Sequence, residues 1–220
     1  MANVDEFIEK YQSSAHKPKL LVIKSAGGDI LAGIKLGRWV YQNQLDVKVN
    51  KYCLSSCANY VFPAGKNKIL TQYALLAWHG GGQSKSLQNM AAFDKKMAKL
   101  FIKNNITDQQ KQSELYQQQL QIREKLLKEE AQFYQDIGVN PVITTIGGYY
   151  PDKEKTDLVR YSKKTRPKDM LKYQGFYYTL ADMKKLGVNG ISLADGSWQP
   201  ELNKNADDFF LVDLTRYWQK

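Results

Sequence analysis

Two cysteines and two histidines are all that the 220-residue chain holds of the side chains most used for metal binding, redox chemistry and general base catalysis. With only Cys53 and Cys57, this is no disulfide-framework protein. A metal site would have to join Cys53, Cys57 and His79. Three ligands without a clear fourth make a poor structural site, so no metal and no cofactor is expected. No apolar run approaches the ~18 residues of a membrane span, so no transmembrane segment is expected. The opening "MANVDEFIEKYQSS" has no apolar core of the kind a signal peptide needs. Arginine-rich blocks are also lacking. The net charge of +10 and sequence pI of about 9.4 come from lysines spread along the chain, densest on a glutamine-rich stretch. That distribution argues against specific nucleic-acid binding.

What is present supports one folded unit. Hydrophobic residues make up 43% of the chain, enough for a core, and the length fits one domain over 1–220 with an extension. "KLLVIKS" (19–25) is apolar and β-branched and reads as a buried strand ending in "AGG". "DILAGIKLGRWVYQNQ" (29–44) has helical spacing, with Ile30, Ile34, Gly37 and Val40/Tyr41 on one face. Gly33 and Gly37 would let that helix approach a neighbour closely. "DVKVNKY" (46–52) alternates like a strand, "SSCANYVFPAG" (55–65) reads as a short helix, and "KILTQYALLAWH" (68–79) holds two short strands. This alternation predicts an α/β fold with parallel strands.

After "GGGQ" the composition turns to Lys, Gln, Glu and Leu. Helices are predicted near 84–103 and 108–137, the second opened by a capping box of Thr107 and Gln110 and stopped by Gly138 and Pro141. Leu115, Ile122, Leu126, Phe133 and Ile137 form a narrow seam. It suits either a partner helix, from this or another subunit, or this chain's own domain. Residues 142–175 are weakly patterned. "TLADMKKLGVNGIS" (179–192) reads as a helix capped by Thr179, ended at Gly187 and followed by a strand, and "FFLVDLTRYW" (209–218) as a terminal strand at an edge.

The chemistry concentrates at "CLSSCANYVFPAG" (53–65). A strand-to-helix turn presents a side chain outward, and the N–H groups that follow it lack partners inside the helix. A serine there can attack a carbonyl while those N–H groups receive the oxyanion. It needs a base. His16 lies in a polar segment and reads as a solvated surface residue. His79 ends a strand ahead of "GGG", where α/β sites are usually built. Plainer roles stay open: Ser56 as a helix cap, Ser55 as a cap or packing residue, His79 as a core histidine. For Cys53 and Cys57 three readings stand: a disulfide, two buried thiols, or metal ligands with His79.

"SAGGDILAGIKLG" resembles the S-P-G-G segment and following helix of ClpP-type serine peptidases, and "SSCANYVFPAG" is similar to their nucleophile segment. "WHGGG" falls where those enzymes carry their histidine, 23 residues after Ser56, and "YYTLADMKKLGVNGI" resembles their late helix. These segments cover roughly the first 80 residues and 176–192. The resemblance implies a ClpP/crotonase-like spiral of ββα units with a helical insert at about 84–137. It implies Ser56 as nucleophile, His79 as general base, and an oxyanion hole from the N–H groups of Gly27 and Cys57, with Gly28 beside them. Losing one such donor typically costs about 3–4 kcal/mol of transition-state stabilisation.

Two positions depart from that pattern. Ala26 replaces the proline. The residue matching the family's acid is Gly175, beside Gln174, so no carboxylate orients His79 from there. Asp169 lies slightly upstream as a weak candidate for a third member. The "C-x-S-S-C-A" form resembles a branch of predicted periplasmic ClpP-like proteins. That likeness favours a Cys53–Cys57 disulfide and a periplasmic or secreted setting, with a cytoplasmic one as the alternative. The resemblance implies a serine peptidase acting on a peptide or protein substrate, with a homo-oligomer assembled through the helical insert. A catalytically weak or inactive scaffold on the same fold is the alternative, and an acyl-CoA thioester enzyme a third reading.

Overall fold

The computed structural model describes residues 4–148, 160–161 and 173–219. Asp169, and most of the weakly patterned 142–175 stretch, lie outside the described residues.

The N-terminal half is an α/β unit. Helix α1 (Val4–Ser13) precedes β1 (Leu20–Ser25), α2 (Ile30–Gln42) and β2 (Asp46–Leu54). A π-helical turn over Cys57–Val61 runs into a helical turn over Phe62–Ala64, together α3. Strands β3 (Lys68–Leu70) and β4 (Leu75–Ala77) follow. The main sheet runs β1-β2-β3-β7, where β7 is Ile191–Leu193, and β4 continues the sheet beside the far end of β2. All its pairings are parallel, as the strand–helix alternation predicts.

A smaller sheet runs β5-β8-β6, with β5 at Arg160–Tyr161, β6 at Gly175–Tyr178 and β8 at Phe209–Asp213. The two sheets join at Trp78, which exchanges backbone hydrogen bonds of 2.8 Å with Phe176 in both directions. The helix α7 (Leu180–Lys185) is capped by Thr179, whose hydroxyl accepts from the Asp182 N–H at 3.0 Å, and Gly187 takes φ +96° just after its end.

The core lies between the main sheet and α2, α3 and the C-terminal part of α6 (Gln109–Ile137). Close approach depends on Gly37. A Cβ there would fall 2.4 Å from the Tyr60 carbonyl and 3.0 Å from the Phe133 ring. Phe133 is fully buried and sits edge-on to Tyr60, with ring centroids 5.8 Å apart. No helix among the described residues is long and apolar enough to cross a membrane.

Several expectations need correction. β1 is an edge strand rather than a buried one, and Val22 on its outer face is 54% exposed. On α2, Tyr41 is exposed while Leu36 and Trp39 are buried, because α1 covers that flank through Phe7 and Tyr11 edge-on to Trp39. The stretch 84–103 is two helices, α4 (Lys85–Gln88) and α5 (Met90–Lys103), separated by Asn89, whose side chain caps α5. The cap of α6 is Asp108 rather than Thr107: its carboxylate accepts from the Lys111 N–H at 2.7 Å. The α6 seam is not continuous, since Phe133 is buried and Ile122 is 43% exposed. Its N-terminal half lies along α5, where Tyr116 donates to Asp94 at 2.6 Å and stacks edge-on to Phe93. The helix therefore packs against this chain's own elements at both ends. β8 is the centre of the small sheet, not an edge.

Candidate functional site

β2 and β4 run parallel, with Leu54 opposite Ala77, so the chain leaves the sheet at Ser55 and at Trp78–His79 side by side. The Ser55 N–H donates to the Ala77 carbonyl at 3.0 Å. One turn into α3, the Asn59 amide donates to the Gly80 carbonyl at 2.8 Å. These two hydrogen bonds flank His79 and stitch its segment to the serine turn.

The turn itself is strained at Ser55, which has φ +55°, a left-handed conformation costly for a residue with a Cβ. It accepts the Asn59 N–H at 2.8 Å and so starts the first turn of α3. Gly27 backs onto this elbow at φ +91°. A Cβ there would fall 2.6 Å from the Leu54 carbonyl, 2.7 Å from the Ser55 Cβ and 2.9 Å from the Ser56 nitrogen. Glycine is required on both counts.

Ser56 sits at the head of α3 in the right-handed helical region and is 2% exposed. Its hydroxyl makes no capping bond, which disposes of the plain capping role. Instead, Oγ donates to the Gly28 carbonyl at 2.7 Å. His79 is exposed, so it is not the core histidine that was the plainer alternative. Among the described residues no hydrogen bond joins Ser56 to His79. The Gly27 N–H donates to Ser25 Oγ at 3.1 Å, and Gly28 turns its carbonyl, not an N–H, toward Ser56. The structure thus brings Gly27, Gly28, Ser56, Cys57 and the His79 segment into one neighbourhood without an assembled dyad.

Cys53 and Cys57 form a disulfide with Cα atoms 5.3 Å apart, and both are fully buried. The bond ties the last turn of β2 to the first of α3, on either side of the serines, and removes both sulfurs from any thiolate role. Among the described residues no group of three or more His, Cys, Asp or Glu is placed to hold a metal.

Gly175 lies on β6, where the antiparallel bridge sets it opposite His79. A Cβ there would fall 2.3 Å from the Trp78 carbonyl, so no carboxylate fits at that position. The neighbouring Gln174 side chain donates to Asp208 at 3.1 Å. His16 is exposed in the segment between α1 and β1. A cavity of about 720 Å³ lined by Lys24, Lys51, Tyr52, Gln72, Asp195 and Lys204 includes neither Ser56 nor His79.

A polar cluster that sequence reasoning missed lies beneath the glycines after His79. Glu130, on α6 and 1% exposed, accepts from the Tyr60 hydroxyl at 2.6 Å and from the Gly82 N–H at 2.8 Å. The Tyr134 hydroxyl donates to the Asn59 carbonyl at 2.9 Å. Burial raises the Glu130 carboxyl above the usual carboxylate range, only partly offset by its two donors. Tyr60 is pushed well above the normal phenol range, by burial first and then by Glu130. A glutamate in a helix rich in Lys, Gln and Glu carries no mark of burial. The only available signal was its place one turn before Phe133 and Tyr134. Compared with protein-family models, curated proteins and solved structures, the chain matches none.

Proposed function

We propose that this protein is a serine hydrolase with a ClpP/crotonase-like arrangement, cleaving a peptide or protein substrate with Ser56 as nucleophile and His79 as general base. The observation that carries the reading is the pair of hydrogen bonds, Ser55 to Ala77 and Asn59 to Gly80, that bracket His79 against the serine turn. A strained strand-to-helix elbow, a helix beginning in a π-turn and a glycine pair packed against it are features that concentrate at reactive sites.

In the reaction, Ser56 Oγ attacks the scissile carbonyl carbon and His79 takes its proton. The oxyanion is received by N–H groups of the Gly27–Gly28 segment and of Cys57. The C–N bond then breaks as His79 returns the proton to the leaving amine, and water repeats the sequence on the acyl-enzyme. The resting geometry requires a change first. The Gly28 carbonyl must turn away from Ser56, which frees the hydroxyl, and the Gly27 N–H must leave Ser25 Oγ to face the oxyanion. Two successive glycines at φ +91° and +145° supply that freedom. With no room for an acid at 175, the pair works as a dyad. The disulfide suits an oxidising compartment, which supports a periplasmic or secreted setting. Assembly into a homo-oligomer through the helical insert belongs to the same proposal.

A second reading has its own observation. Ser55, half-buried with φ +55°, occupies the strained apex, so it rather than Ser56 would attack. A non-catalytic scaffold fits the missing acid. A fluorophosphonate probe separates these. The serine oxygen bonds to phosphorus, fluoride leaves, and the histidine takes the proton. Labelling lost in Ser56→Ala and His79→Ala but kept in Ser55→Ala supports the proposal. Loss only in Ser55→Ala moves the nucleophile by one residue. A folded, unlabelled wild type leaves the scaffold.

A further inference from the structure

Glu130 Oε2 has no hydrogen-bond donor although it is fully buried. It lies directly against the Gly82 backbone: a Cβ on Gly82 would fall 2.0 Å from it. Asn59 Oδ1 is a second buried acceptor without a donor. The groups facing the carboxyl are Tyr60 from α3, Tyr134 from its own helix, the Gly81–Gly82 backbone and Thr144. Arg38 of α2, the cation packed on this stretch of α6, pairs with Glu129 at 2.5 Å. A carboxylate buried with one oxygen bare, and with no cation facing it among the described residues, is a costly buried charge, and the neutral acid there costs less.

We propose that Glu130 is held as the neutral acid and serves as a positioning residue, the point at which the helical insert locks the His79–Gly82 loop onto the serine helix. The loop is fixed at two points. Gly80 is held through its carbonyl by Asn59, and Gly82 through its N–H by Glu130 and through its carbonyl by the Gln88 amide at 2.9 Å. Asn59 is itself braced by Tyr134, one turn from Glu130. Ionising Glu130 places an unpaired charge under the loop and loosens it, so the histidine segment responds to pH through a residue of the insert. The consequence for catalysis rests on the Ser56–His79 reading; the lock does not.

The test compares wild type, Glu130→Gln and Glu130→Ala by hydrogen exchange of the amides from Gly80 to Ser84 and by phosphonate labelling rate, from the acid to the alkaline limit of the folded protein. Glutamine keeps the accepting oxygen and the neutral state. Its loop protection should match wild type at the acid end and exceed it at the alkaline end, after correction for intrinsic exchange, and its labelling rate relative to wild type should rise several-fold over the same range. Alanine should lose protection at both ends. Glutamine as unprotected as alanine at the acid end, or wild-type protection that does not change with pH, overturns the lock. If exchange behaves as described and no variant labels, the lock stands and the hydrolase reading fails instead.

Discussion

The hydroxyl of Ser56 is bound to the carbonyl of Gly28, 28 residues earlier in the chain, at 2.7 Å. That bond satisfies a serine only 2% exposed and occupies the hydroxyl that would have to attack, while the Gly27 N–H is given to Ser25 Oγ at 3.1 Å. The fold of the site and its readiness are therefore separate properties. The strands, the elbow and the disulfide fix where the serine sits, while the glycine pair decides whether it can react.

The elbow should not tolerate a side chain at residue 27. With φ +91° and three contacts under 3.0 Å, Gly27→Ala should cost about 2–3 kcal/mol in denaturant unfolding. Any labelling of the serines should fall with it. A fully stable Gly27→Ala variant would mean that the elbow is not built as described.

Reducing the Cys53–Cys57 bridge should destabilise the fold modestly, because it closes a loop across only four residue steps. The chain-entropy model gives about 2 kcal/mol for so short a loop. Equilibrium unfolding with and without reductant measures it, and an unchanged midpoint would contradict the bridge.

Phe133 is the insert's anchor. It is fully buried against Gly37 and Tyr60, so Phe133→Ala should cost about 3–5 kcal/mol. Hydrogen exchange should rise across the C-terminal turns of α6 and in the Gly80–Gly82 loop together, because Glu130 sits on the same helix. Exchange confined to α6 would show that the insert and the loop are independent.

Lys68 is 7% exposed, and its ammonium donates to the Gly65 carbonyl at 2.7 Å. Burial pushes it down to about 8 from the usual 10.5. Between those values the unfolded chain binds the proton that the native state has given up, so stability should rise with pH across that window. Below pH 8 the penalty is present in full. Lys68→Met should raise stability at neutral pH by about 1–2 kcal/mol and flatten the rise, as measured by unfolding at several pH values.

The strand–helix alternation was legible because its signals are local. "KLLVIKS", the Thr179 cap and Gly187 each act within a few residues. Gly37 was legible as a close-approach position, although the partner that needs it, the Tyr60 carbonyl, was not. What failed depended on topology. Val22 reads as core by composition and is exposed on the same face of β1 as Leu20. β8 reads as an edge from its place near the end of the chain, yet two strands flank it. Thr107 and Asp108 are both good caps, and local backbone geometry chose the second. At the site, sequence pattern found Ser56, His79 and the glycine pair. It could not see that the hydroxyl points at a carbonyl, because peptide orientation at Gly-Gly is not encoded in residue type. Glu130 was hidden for the opposite reason: its helix is rich in Lys, Gln and Glu, and nothing local marks which of its glutamates is buried.

The central claim is that Ser56 reacts. Its most direct test is mass-spectrometric mapping of the adduct after treatment with a fluorophosphonate. Modification of the tryptic peptide at Ser56, abolished by His79→Ala, is the predicted result. An intact Ser56 in folded protein exposed to excess probe, or an adduct carried by Ser55 instead, would contradict it.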